Sequence, residues 1–191
     1  MSTKPIPSGA AKDQEPALSP LPPPNRFITT HDAAGQAVFS TSLGPAELSR
    51  YSVPGMPYYE AYKTFGQPIV MTDEADITAL RSRQLGAIDF PRSGEIFVRY
   101  CDWPPLGTSP LHRHETIDFG IVVHGEMEAI MDSGETRLAR TGDIVIQRST
   151  LHGWRNPSET TWARVCFVIN GQPPPVVNGE VKGMNLDAFG K

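Results

Sequence analysis

Cysteine is scarce in this chain: two residues in 191 cannot build a disulfide framework. Cys101 and Cys166 each sit in an apolar, strand-like run, where a buried reduced thiol and a reducing interior are expected. Long hydrophobic runs are missing as well. The opening Met-Ser-Thr-Lys-Pro-Ile-Pro-Ser-Gly-Ala-Ala-Lys has no apolar segment of the secretory type, and no stretch is apolar for long enough to span a bilayer. A soluble, cytoplasmic protein without a membrane partner is expected. Positive charge is also in short supply, with 17 Lys and Arg against 21 Asp and Glu and a net charge of -4. No basic stripe is present to draw affinity from phosphates, which excludes nucleic acid as a partner. There is no internal repeat.

What the chain does have is turn and strand material. Hydrophobic residues make up 39% and charged residues 20%, a balance that supports one buried core. Seventeen glycines and 19 prolines, with Val, Ile, Phe and Trp in short runs, favour many brief strands joined by turns. Residues 1–25, ending in Leu21-Pro22-Pro23-Pro24, have the composition of a disordered, Pro-rich arm. Arg26 to Ser40 reads as two short strands about a turn at Asp32 to Gly35. A short helix over 72–81, capped by Thr72 or Asp73, has only a thin apolar stripe. Further strands are expected at 96–101, 117–123, 126–131, 136–139, 143–147 and 162–169. Turns are expected at 104–107, 124–125, 132–134 and 141–142. Strands of this length and spacing close into a barrel or jelly roll.

The segment Gly107-Thr-Ser-Pro-Leu-His112-Arg-His114-Glu-Thr-Ile-Asp118 carries chemistry. Two residues apart on a strand, His112 and His114 share a face with Cα atoms about 6.5–7 Å apart, within reach of one metal ion. Asp118 has the same parity but would lie about 13 Å from His114 on a straight strand, so the chain must bend near Glu115-Thr116 for Asp118 to join them. Glu115, of opposite parity, is an alternative oxygen ligand if the bend falls on it. Without a metal, imidazoles inside a small barrel need a hydrogen-bond partner for each ring nitrogen.

A second segment, Gly142-Asp-Ile-Val-Ile-Gln-Arg-Ser-Thr-Leu-His152-Gly-Trp-Arg-Asn156, completes a pair that resembles the two cupin motifs. The first motif matches from Gly107 through His112, His114 and Gly125, with one residue fewer after Gly107 and Asp118 in place of Glu. In the second, Arg148 stands at the Pro, Ser149 near the Gly, the spacer to His152 is one residue short, and His152 to Asn156 keeps its spacing. The run from Ile28 to Phe39 is similar to the start of small cupins from bacteria and from fungal secondary-metabolite clusters, a group in which the position of His114 is often Thr.

The resemblance spans about 26–171. It implies an all-β double-stranded β-helix, the cupin jelly roll, with its barrel core at about 94–170 and a tail at 172–191. It implies one divalent metal held by His112, His114, Asp118 and His152. Fe(II) comes first, with Mn, Ni and Zn open, since imidazole and carboxylate ligands discriminate poorly among these ions. It also implies a small-molecule substrate, aromatic or polyketide-like, and a homodimer. Metal-dependent oxidation is the leading expectation. A redox-neutral decarboxylase, dehydratase or isomerase stays open, as does a non-catalytic cupin that binds a small ligand.

Other polar and aromatic residues have simpler readings. His124, beside Gly125, reads as a turn or rim residue, and His31 as a solvated turn residue. Trp103, Trp154 and Trp162 read as core or rim packing, with Trp154, which shares the parity of His152, an alternative wall of the pocket. Tyr58, Tyr59 and Tyr62 read as core aromatics, or one of their phenols lines the pocket as a donor or acid. Arg99, inside an apolar run, is either an exposed strand residue or a cation that orients an acidic substrate.

Overall fold

The computed structural model describes residues 19–189 apart from 47, 54–55 and 83–88, so most of the arm expected at 1–25 lies outside the described residues. The strands, in chain order, are β1 (Thr29–His31), β2 (Ala37–Phe39), β3 (Ser49–Val53), β4 (Met56–Lys63) and β5 (Ile96–Trp103), then β6 (Thr116–His124), β7 (Glu126–Met131), β8 (Thr136–Arg140) and β9 (Ile144–Arg148). After these come β10 (His152–Arg155), β11 (Ala163–Gly171), β12 (Val176–Val177) and β13 (Glu180–Val181). The single α-helix among the described residues, α1 (Ala75–Ser82), follows a 3-10 turn at Thr72–Glu74. Neither Thr72 nor Asp73 caps this unit. Met71 precedes it without a side-chain cap bond, and Asp73 and Glu74 adopt positive φ and form the turn itself.

Two sheets enclose the core. One has the order β3-β4-β5-β11-β6-β9 and the other β10-β7-β8, with antiparallel pairing throughout. The segment after Gly107 extends the smaller sheet by running beside β10, with isolated bridges pairing Thr108 with Arg155 and His112 with His152. Strand periodicity decides which residues face inward. On β6 these are Thr116, Asp118, Gly120 and Val122; on β5, Phe97, Arg99, Cys101 and Trp103; on β11, Val165, Phe167 and Ile169. Met127, Ala129 and Trp154 of the smaller sheet pack against them, and the Trp154 and Phe167 rings meet edge to face at 5.6 Å. Cys101 faces this core while Cys166 lies on the other face of its strand, half-buried, and both thiols are free.

Both ends of the described chain wrap the barrel. The Pro22 carbonyl accepts a 2.7 Å hydrogen bond from Arg164 Nη1, and Arg26 donates to the Ala61 carbonyl on β4. Beyond Gly171, the segment set apart as a tail forms the β12–β13 hairpin, bridges Arg113 through Asn185 and ends in a 3-10 turn at Asp187–Phe189. No helix among the described residues is long and apolar enough to cross a membrane.

Candidate functional site

The chain bends at Glu115, between His114 and the start of β6, and this bend decides which side chains meet. After it, Asp118 points inward, opposite Gln147 on β9 and Ile169 on β11. Glu115 turns the other way, its Oε1 accepting the Met184 backbone amide at 3.1 Å. The bend is pinned by Ser149, which has φ of 51° where the second motif expects a glycine nearby. Its Oγ accepts from the Thr116 amide and donates to the Thr116 carbonyl, bonds that offset an unfavourable backbone region.

His112 and His152 are a directly opposed antiparallel pair that exchange both backbone hydrogen bonds, so their side chains rise from the same face. The rings lie 4.5 Å apart between centroids, and His114 lies 4.8 Å from His112 and 6.2 Å from His152. Asp118 Oδ2 is 3.9 Å from His114 Nδ1. All four side chains are buried and line one cavity together with Arg99, Gln147, Trp103, Trp154 and Phe167. Gly120 leaves room for two of the lining rings, because a Cβ there would come within 2.9 Å of Phe167 and 3.2 Å of Trp154.

Nδ1 of His112 donates to the Pro110 carbonyl and Nδ1 of His152 to the Thr150 carbonyl, at 2.8 and 2.9 Å, which leaves Nε2 of each neutral ring as the basic nitrogen. Burial keeps both rings neutral. It pushes His112 down to about 3, with the neighbouring imidazoles adding to the effect, and His152 down to about 4. Both ring nitrogens of His114, Asp118 Oδ1 and both amide ends of Gln147 are buried without a hydrogen-bond partner among the described residues. Such atoms are costly in a barrel interior unless a ligand engages them.

In kind and number this donor set fits one divalent first-row ion. The atoms as placed do not close a cage: among the described residues, no group of three or more His, Cys, Asp or Glu side chains has the geometry to hold a metal ion. His114 is held differently from the other two imidazoles: its ring stacks on Phe90 at 3.8 Å and makes no hydrogen bond to the described residues.

The remaining candidates fall outside the cluster. His31 ends β1 and His124 ends β6, both exposed. Tyr62 donates to Asp76, and Tyr59 packs under the Arg164 guanidinium, whereas Tyr58 lines the cavity. Asn156 is fully buried but serves the fold, its amide donating to the Trp103, Pro104 and Thr161 carbonyls. Several cavity residues went unnoticed in the sequence, among them Phe90, Gln147 and Phe189. Gln147 could have been found by parity, five residues after Gly142 and facing inward. Phe189, whose ring meets His112 at 5.2 Å, carries no local signal.

A small antiparallel barrel with inward imidazoles and a carboxylate defines a class of protein, and comparison with known proteins places the chain within it. Residues 99–169 match the cupin domain family. The phomopsin biosynthesis cluster protein C' of Diaporthe leptostromiformis is 38% identical over 174 residues, 91% of this chain and 92% of that protein. The cupin-domain-containing oxidoreductase fogC of Aspergillus ruber is 34% identical over 158 residues, covering 81% and 76%. Among solved structures, a cupin-2 domain protein of Rhodospirillum rubrum aligns with a TM-score of 0.43 at 14% identity, over 66% of this chain and 70% of that one. This chain belongs to the cupin family.

Proposed function

We propose that the cavity is the active site of a metal-dependent oxidoreductase acting on a small aromatic or polyketide-like metabolite. His112, His114, Asp118 and His152 would hold one divalent ion, Fe(II) before Mn, Ni or Zn. The observation that carries the reading is the convergence of three buried imidazoles and one carboxylate on a single cavity. Two of these rings are oriented by backbone carbonyls with Nε2 left over, and the third has no hydrogen-bond partner among the described residues. Relatives named as a biosynthesis cluster protein and as a cupin-domain-containing oxidoreductase support a role in secondary metabolism and an oxidoreductase reaction.

A bound ion would supply Lewis acidity and, if iron, a route for one-electron chemistry with O₂. The chain's own groups do the rest. The Pro110 and Thr150 carbonyls hold two imidazoles in one tautomer, so neither can turn its basic nitrogen away. Gln147, across from Asp118, presents an amide donor and an amide acceptor to a substrate oxygen. Trp103, Trp154 and Phe167 exclude water from the reacting face. The cavity, about 90 Å³, is narrow beside the usual roughly 300–1,000 Å³ of ligand pockets. Phe90 and Phe189 crowd it in front of His114 and His112, so a small planar substrate suits it better than a large one.

The test is oxygen uptake by protein loaded anaerobically with iron and given a panel of small phenols, aromatic aldehydes and aromatic acids. Substrate-dependent uptake is expected, lost in His152→Ala. Substrate turnover without uptake, by iron- or zinc-loaded protein alike, would place the reaction in the redox-neutral class instead.

A further inference from the structure

β5 reads Ile-Phe-Val-Arg-Tyr-Cys-Asp-Trp, and its arginine points inward, among core residues. A guanidinium in a barrel wall is costly to desolvate, so its partners reveal whether it is fully neutralised. Arg99 is 6% exposed. Its Nε donates to Glu60 Oε1, and Nη2 donates to the Asp89 backbone carbonyl at 2.8 Å. Nη1 makes no hydrogen bond to the described residues. The guanidinium carbon lies 5.0 Å from the Tyr58 ring and 5.6 Å from that of Phe90, the same Phe90 that stacks on His114. One aromatic ring thus touches both the cation and the imidazole cluster.

Glu60 does not belong to Arg99 alone. Its Oε2 pairs with Lys63 Nζ at 3.0 Å, and Lys63 is itself only 4% exposed, covered by the Phe97 ring. Among the described residues no second carboxylate pairs with either cation. The Asp89 carboxylate is turned to the Phe90 amide. Two buried cations therefore share one buried carboxylate, and the surplus positive charge faces the cavity through Arg99, which lines it. A purely structural ion pair would balance, and an apolar wall would be cheaper than an unbalanced one.

We propose that Arg99 is the anchor for a carboxylate on the substrate, which makes the substrate a small aromatic acid whose ring lies among Trp103, Trp154 and Phe167. This rests on the reading of the cavity as the active site and narrows its substrate class. Arg99 grips the anionic end through Nη1, Lys63 keeps the Glu60 charge from cancelling that grip, and the body of the acid is directed past Phe90 toward the imidazoles.

The test is a titration of zinc-loaded protein with benzoate and with its neutral isostere benzamide, followed through tryptophan fluorescence, since Trp103 and Trp154 line the cavity. The parent should bind benzoate at least about ten-fold more tightly than benzamide, as a charge-assisted hydrogen bond allows. Arg99→Gln should remove that preference and Arg99→Lys should restore part of it. Lys63→Met alters nothing that lines the cavity and should reduce the preference while metal content stays at the parent level. Equal binding of the two probes by the parent overturns the proposal, as does a full preference retained in an Arg99→Gln protein with native circular dichroism. Metal content measured on each sample separates the two readings. A parent that holds zinc but does not discriminate loses the anchor only; one that discriminates without holding zinc keeps the anchor and loses the metal-dependent reading.

Discussion

Acid should weaken this protein well above the pH at which carboxylates titrate, because His112 and His152 are buried as neutral rings. Their folded values lie near 3 and 4, below the ordinary unfolded value of about 6.5. The unfolded chain therefore binds more protons than the folded one between those limits, and stability rises with pH there. The contribution is complete above about pH 6.5 and is lost as pH falls toward 4 and then 3. At pH 5 the size depends little on the folded values, since both rings remain neutral in the fold while nearly every unfolded histidine is charged. Each ring then costs roughly 2 kcal/mol relative to pH 7, and the pair about 4 kcal/mol. Urea unfolding of chelator-treated protein at pH 7 and pH 5 measures the difference, and the same pair of experiments on His112→Gln should show about half of it removed. A parent whose stability changes by less than about 1 kcal/mol between these pH values, or a His112→Gln protein with the parent's full loss, would refute the reasoning.

Two further outcomes follow from packing and pairing. Gly120→Ala places a methyl group 2.9 Å from Phe167 and 3.2 Å from Trp154, so it should cost about 1–3 kcal/mol, lower Tm by several degrees and weaken binding of any ligand in the cavity, as thermal melts and ligand titration would show. Asp102 is fully buried and takes two hydrogen bonds, 2.5 and 2.7 Å, from Arg164, so Asp102→Asn leaves a buried guanidinium without its counter-charge and should cost about 3–5 kcal/mol by chemical denaturation.

Much of this fold is legible in strand parity. The alternation of β6 alone puts Asp118 and Gly120 inward, whereas the expectation of two buried thiols holds for Cys101 only, Cys166 being half-buried on the other face of its strand. The need for a bend near Glu115 follows from the distance that Asp118 would otherwise have to cover, and the bend lies at that residue. Which carboxylate faces the cavity is another matter. It depends on Ser149 holding Thr116 from 33 residues away and on Met184 taking Glu115, and neither contact leaves a local trace. Distance in sequence hid other parts of the site as well. Phe189 reaches His112 only because the C-terminal segment folds back, and the Pro22 carbonyl reaches Arg164 only because residues near the N-terminus lie against the barrel. Arg99 was legible as a charge in an apolar run but not as part of a three-residue charge group, since its balance is set by Glu60 and Lys63 on a neighbouring strand.

The central claim is that His112, His114, Asp118 and His152 together bind one ion, and its most direct test is elemental analysis of protein purified without a histidine tag. Close to one equivalent of divalent metal per chain is expected, falling to a small fraction in His112→Ala, His152→Ala and Asp118→Asn while Glu115→Gln keeps the parent level. A parent that holds no metal after loading would contradict the account, and so would metal retained by Asp118→Asn but released by Glu115→Gln.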